Sequence, residues 1–597
     1  MGERTSVFLA QCVFVCSPAG SYNTFFRLTF GTNFCDVGLF IYSSLVFMPD
    51  SLLKRLPEFT PAAIACAVVL LIFAFFSAVL YLATNTYLIA EASWPLILLL
   101  AAFIPSVRYE ELASSYSHLC RALVVIAFVY IAMQFPFYPV INDGVYTSFI
   151  TNTIAWVIAL TVTVLAWWRP LWLLASGAYL PWVKALAEHA SGFLYDRLLD
   201  ITPLFQIMLF CGVVALVFGL FGWIQNSQRP TIVSSVMRYT NLDEPSNYRS
   251  FATQTSALLV FIVVSFHFAG YLFSGVAKAS LDGGFWYWPF INELQNIYFA
   301  GVINQQMIWL DLPSATSIFT SVMEWIGRPM SLMVFFGQLA AILAFSHKRV
   351  FIGLLLFYDL MHIGIFVSQG ANFFTWALVN VAVIVAVKTL PARFFGLRPM
   401  LLSIALMVFA QFVYGKFYRV PNLGWYDSKA VNNGYFLANL VSGDSVRVPI
   451  AFFMFYSYPI SHMSYGHPEG KYVPTDTNGG TKSAKINDKS VTCDFADNEL
   501  VSTKRHYWNA DAVTQFIQQY HLLAERWMPN GPSLWLNLYW HHFWSPLSIH
   551  QDFKNISLPD VKSYTLVIES TCLDVVDFQP VGEIVSTTHW EVPIVRN

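Results

Sequence analysis

The chain has 597 residues, 56% of them hydrophobic and only 11% charged, where an average soluble domain has roughly 25% charged residues. That deficit excludes a purely water-soluble protein, and the 17% aromatic content suits both acyl-chain contact and the interfacial belts of a bilayer. A formal net charge of −2 offers no basic surface to a phosphate backbone, so nucleic acid is not an expected partner.

The amino terminus lacks a clean signal peptide: Glu3 and Arg4 sit together and the apolar stretch Val7 to Val15 is short, so insertion by the first membrane helices is expected. Apolar runs approaching the ~20 residues needed to cross a bilayer fall at 34–49, 62–83, 86–105, 121–139, 147–167, 203–224, 255–275, 329–346, 350–368, 371–387 and 400–416. Leu171 to Val183, interrupted by Gly177 and Pro181, is expected to be an interfacial or re-entrant piece. The fold class is an all-α polytopic membrane bundle of about eleven transmembrane helices. Amino-terminal spans occupy 1–250, a core occupies 251–420, and a carboxy-terminal extramembrane domain occupies 421–597.

Positive loops stay on the cytoplasmic side. His347-Lys348-Arg349 and the group Lys388, Arg393 and Arg398 therefore belong inside. By alternation, 276–328 and everything after 417 lie outside, in a periplasmic, lumenal or extracellular space. Lys54 and Arg55 run against this scheme. Cys12, Cys16, Cys35, Cys66, Cys120 and Cys211 accompany apolar segments, where a thiol behaves as a small hydrophobe. Cys493 and Cys572 fall in the polar part and can form a disulfide if that part meets an oxidising compartment.

From about Gly424 the composition shifts to turn residues, with a loop-like stretch over Thr475 to Ser490. Ser502 to Trp527 is expected to be helical, with Asp511 as a cap. The β-branched alternation from Tyr564 to Val595 predicts strands, so the domain is α+β or β-sandwich-like. Tyr520-His521, His541, His542 and His550, with His462 and His467, are rich in imidazole but lack carboxylate or cysteine at a ligand spacing. Their Trp and Tyr neighbours suggest a segment resting on lipid, and no metal is expected. Asn555-Ile-Ser557 matches the glycosylation acceptor.

An ionisable group at membrane depth costs about 2.5–3.5 kcal/mol and calls for a reason. The run from His267 through Tyr271 and Ser274-Gly275-Val-Ala-Lys278 to Asp282 and Trp286 ends a span at the outer face, with small residues spaced for close helix contact. Lys278 at the mouth of the bundle is a candidate general base; the alternative is a snorkelling lysine that marks the helix end. In 350–368, His362 stands roughly 9 Å from the outer end of its helix at ~1.5 Å per residue. It is therefore on the Lys278 side, and the two could share a cavity. Asp359, one turn earlier, is placed to orient His362, or the two satisfy each other between helices. His267, Tyr271, Asp282 and Trp286 are candidate cavity-lining residues.

Ser274-Gly275-x-x-Lys278 with Trp286 downstream, then the His347-Lys348-Arg349 hairpin, then a helix carrying His362 followed by Gly370 and Phe374, resembles the vitamin K-dependent gamma-carboxylase. It resembles equally that enzyme's bacterial relatives, the horizontally transferred transmembrane domain family. The resemblance covers about 255–390. It implies that Lys278 is the base that deprotonates reduced vitamin K or another quinone, and that His362 serves the carboxylation step. The implied cofactors are the reduced quinone, molecular oxygen and carbon dioxide. Epoxidation would generate the strong base that removes a glutamate γ-proton from a protein substrate. Ala277 stands where the animal enzyme has a second lysine, and Ala279 and Ser280 are additional to its pattern.

Two further functions compete with a quinone-dependent enzyme. One is a catalytically inactive accessory subunit of a larger membrane complex, which Ala277 favours. The other is a transporter with Asp359, His362 and Gln338 along its path, although no paired broken helices are visible. Membrane lipids are expected partners under all three.

Overall fold

In the computed structural model, the described residues up to 412 are mostly helical, and the described strands lie beyond them. The described residues are 56–83, 86–133, 145–191, 202–226, 245–415, 417–450, 452–453, 472–473, 480–481, 493, 510–527 and 545–596. The 34–49 run, Lys54, Arg55, His462, His467, His541, His542, Cys12, Cys16 and Cys35 lie outside them.

The helices are α1 (Leu56–Ala83), α2 (Tyr87–Phe103), α3 (Ser114–Met133), α4 (Val145–Leu165), α5 (Trp172–Ser191), α6 (Thr202–Asn226) and α7 (Pro245–Ala279). Two short helices, α8 (Tyr287–Ile291) and α9 (Gln295–Ile303), precede α10 (Pro313–Leu339), α11 (Lys348–Gln369), α12 (Phe374–Lys388) and α13 (Leu397–Phe412). Six of them, α1, α3, α6, α7, α10 and α11, contain stretches long and apolar enough to cross a membrane. Among the described residues the expected eleven spans are therefore not confirmed. Of the remaining apolar segments, α2, α12 and α13 form helices of 17, 15 and 16 residues, and α12 shows why. Gly370 adopts a left-handed φ of 74° at the end of α11, and the Asn372 side chain accepts from Phe374 N. These two devices cut the run to 15 residues, or about 22 Å of helix against a ~30 Å hydrocarbon core.

The expected re-entrant break at Leu171–Val183 is instead the continuous helix α5, which carries Pro181 inside it. Glycines account for its seat against α6. A Cβ on Gly212 would lie 2.3 Å from Leu174 N, and one on Gly177 would lie 2.7 Å from Leu209 N. The two backbones thus meet through reciprocal glycines, the close approach that small residues permit between membrane helices. At the centre, α7 is buried from Thr255 to Gly275 apart from the half-buried Leu258 and packs against α10 and α13. By contrast α10 and α11 turn broad apolar faces outward, with Ile318, Trp325, Leu356 and Leu360 exposed.

After α13 come β1 (Tyr426–Asp427), β2 (Ala430–Leu440), β3 (Ser445–Arg447), β4 (Gly480–Thr481), α14 (Ala510–Trp527), α15 (Leu547–Lys554), β5 (Val561–Val576) and β6 (Gln579–Pro593). The main sheet has the order β3-β2-β5-β6, and each neighbouring pair is antiparallel. The domain is α+β: one four-stranded sheet covered by helices, with β1 and β4 pairing separately. Asp577 and Phe578, both at positive φ, make the two-residue turn between β5 and β6, whose twist matches the strands. On α14, Val513, Phe516, Ile517, Tyr520 and Ala524 form the apolar stripe packed into the domain core with Phe436, Phe452 and Tyr564. Asp511 falls in the first turn of α14, where a carboxylate suits the positive helix end.

Cys493 and Cys572 form a disulfide. Tyr520, His521 and His550 are buried, which overturns their placement on a lipid-resting segment. His521 Nδ1 meets the Tyr564 hydroxyl at 3.0 Å and its Nε2 meets Glu525 at 3.2 Å. Burial lowers both His521 and His550 to about 4.

Residues Pro61–Asn597 form one compact unit. Within it, 276–328 and the C-terminal domain pack together: Asp311 accepts from Ser548 N, at 2.9 Å, at the start of α15, and Arg447 donates to Asn304 O at 3.0 Å. The basic loops gather at the other end of α7. Arg249 near its start reaches Glu110 O at 3.3 Å, and Lys348 donates to Lys388 O at 2.6 Å.

Candidate functional site

His267, Tyr271, Ser274 and Lys278 follow one another on α7 at spacings of four, three and four residues. Helical geometry puts all four on one face. That face meets α11, α12, the end of α10 and the chain that leaves α13.

At its carboxy-terminal end Lys278 is buried. Its Nζ donates to Leu423 O at 2.5 Å, Gln338 Oε1 at 3.1 Å and Ser274 O at 3.5 Å. Three oxygens match the three donors of an ammonium group. The amine also stands 5.3 Å from the Trp288 ring and 5.9 Å from the Trp425 ring, within cation–π range. The acceptor strand approaches this closely because Gly424 lacks a side chain, and a Cβ there would lie 2.7 Å from Ala277 C. Behind the tryptophans, Asp427 accepts from Asn292 Nδ2 at 2.9 Å and from Trp425 Nε1 at 3.0 Å. Burial raises its carboxyl to about 6, against the opposing pull of those bonds and of the Lys278 charge.

Deeper along the same face, Asn380 of α12 organises a second group. Its Nδ2 donates to Asp359 Oδ1 at 2.6 Å and to the Tyr271 hydroxyl at 2.9 Å, while its Oδ1 meets His267 Nε2 at 2.8 Å. Since a carbonyl oxygen only accepts, His267 carries its proton on Nε2. Tyr271 stacks on Tyr358 with ring centroids 3.8 Å apart. His362 lies 5.9 Å from Tyr271 and stacks on Phe373 at 5.5 Å. The Nδ1 atoms of His267 and His362 are buried without a hydrogen-bond partner.

Asp359 therefore bonds Asn380, and no bond joins it to His362 among the described residues. The helical offset turns its carboxylate toward α12. Asp282 and Trp286 are both exposed, so neither lines this face. The turn around Gly284, at φ 83°, swings them outward, and Trp288 two residues later meets the amine. Lys278 and His362 lie along one side of α7 at different heights. Tyr271, beside His362, precedes Lys278 by seven residues, or about 10 Å of helix, and no bond or ring contact links the two among the described residues.

Asn380, Gln338, Trp425 and Asp427 supply much of the chemistry here. A polar amide inside the apolar run 371–387 was a signal for Asn380; Trp425 and Asp427 lie in a loop with no local pattern. No group of three or more His, Cys, Asp or Glu side chains is arranged for a metal among the described residues. No family model, curated protein or solved structure matches the chain.

Proposed function

We propose that this multi-pass membrane protein binds the polar head of a lipid-soluble, quinone-like ligand beside His267, Tyr271, His362 and Asn380, as its carboxylase resemblance implies. The observation that carries this reading is the pair of buried imidazole nitrogens without a partner. An unsatisfied buried polar group costs about 1–3 kcal/mol, and a ligand oxygen within reach would offset that cost. The bilayer offers an approach. Leu356, Leu360 and Ile363 of α11 are exposed around the half-buried Asp359, and the space beside Gly364 is open.

A bound reduced quinone would supply the redox chemistry of an epoxidation. The unprotonated Nδ1 of His267 suits a hydroquinone O–H as acceptor, and the Tyr271 hydroxyl and His362 Nδ1 lie beside it for the rest of the head group. The resemblance gives the role of base to Lys278, which lies about 10 Å of helix from Tyr271 and must first give up a proton that its three oxygen partners favour. Trp376, 5.5 Å from His267 and 6.0 Å from His362, provides a probe. Titrating purified protein with a short-chain naphthoquinone should quench Trp376 fluorescence, identified as the component lost in Trp376→Phe. His362→Phe should weaken binding at least about tenfold, or ~1.4 kcal/mol. Unchanged quenching in that variant would remove the head-group site.

The saturated bonding of Lys278 favours a second reading, in which the lysine is a structural joint and the chain is an accessory subunit. Lys278→Ala separates the two: loss of turnover with normal assembly marks a base, whereas loss of assembly marks a joint. In either reading the C-terminal domain faces the non-cytoplasmic side. The basic loops at the opposite end of α7 and the Cys493–Cys572 disulfide support that orientation.

A further inference from the structure

We infer that Asn555 is an acceptor for an N-linked glycan, a conclusion that rests on the outward orientation of the C-terminal domain. Asn555-Ile556-Ser557 is the single Asn-x-Ser/Thr triplet among the 597 residues. It falls at the end of α15, where Asn555 N donates to Asp552 O at 3.2 Å and to Gln551 O at 3.3 Å and closes the helix. The Asn555 side chain is exposed and forms no hydrogen bond among the described residues. Ile556 is 8% exposed and anchors the triplet in the domain core, while Ser557 is exposed on extended backbone at φ −86° and ψ 120°.

The acceptor amide and the hydroxyl that recognition requires are thus both presented to solvent from a fixed base. Gln551, Asp552 and Lys554 beside them are exposed too, so a bulky sugar has room. In the transfer, Asn555 Nδ2 attacks the anomeric carbon of a lipid-linked oligosaccharide diphosphate. The C1–O bond to the diphosphate breaks, polyprenyl diphosphate leaves, and the amide proton passes to a base of the transferase. No oxidant or reductant is needed.

The test uses the full-length chain made in a eukaryotic secretory host. Digestion with a peptide N-glycosidase should increase its gel mobility by one glycan. Asn555→Gln and Ser557→Ala should abolish the shift, and Ser557→Thr should keep it. Protease added to sealed microsomes reports the side of the membrane independently. A protected domain with no glycosidase-sensitive shift overturns the glycan and leaves the orientation intact. A domain digested in sealed microsomes overturns both.

Discussion

Asn380 is one amide among apolar neighbours, yet Asp359, Tyr271 and His267 all bond to it. Replacing Asn380 with Leu keeps the volume and strips partners from a carboxylate and an imidazole. The expected loss is about 2–4 kcal/mol, because each orphaned buried group costs ~1–3 kcal/mol. Thermal unfolding in detergent measures it, and an unchanged midpoint would show that the network contributes nothing. Lys278→Met leaves Leu423 O and Gln338 Oε1 without their donor and should speed proteolysis between residues 417 and 425. Lys278→Arg should not restore protection, since a planar guanidinium does not fit a site shaped around a compact ammonium. Lys278 itself was legible as a charged group ending a span. Its surroundings were not, because they come from α8, α10 and the loop after α13.

At the scale of elements, glycines divide into those that hold helices together and those that face open space. Gly212→Ala drives a methyl into the α5 backbone and should cost more than ~1 kcal/mol as the helices part. Gly353→Ala meets nothing within 4 Å and should stabilise α11 by about 0.5–1 kcal/mol, the usual gain from replacing a helical glycine. Melting both variants under one condition tests the contrast, and equal shifts would deny the close α5–α6 seat. Apolar runs revealed where the helices lie. Whether Gly177 and Pro181 would break α5 depended on α6 lying against it, a long-range fact.

For the molecule as a whole, acid should loosen the C-terminal domain. His521 and His550 are held near 4 by burial, below an ordinary value of about 6.5. Their contribution to stability is complete above about 6.5 and is lost as the pH falls toward 4, because the unfolded chain takes up the protons first. Asp427 acts in the opposite sense. With its carboxyl raised to about 6, it favours the folded state at low pH and loses that contribution as the pH rises through 6. Asp427→Asn should therefore steepen the acid loss, measured as the unfolding midpoint between pH 7 and pH 5. A flat profile in both proteins would mean that these imidazoles are not buried neutral.

Composition and run length by themselves determined that this is a helical membrane protein with a polar, partly β carboxy-terminal domain, because burial of apolar side chains is a local and additive preference. They also singled out Lys278, His267, Tyr271 and His362, since polarity inside an apolar run stands out without knowledge of neighbours. Only the tertiary structure decided that Asp359 answers to Asn380, that Trp288 and not Trp286 faces the amine, and that α5 runs unbroken. Each of those outcomes depends on directional bonds or close packing between segments far apart in the chain, which no local pattern encodes.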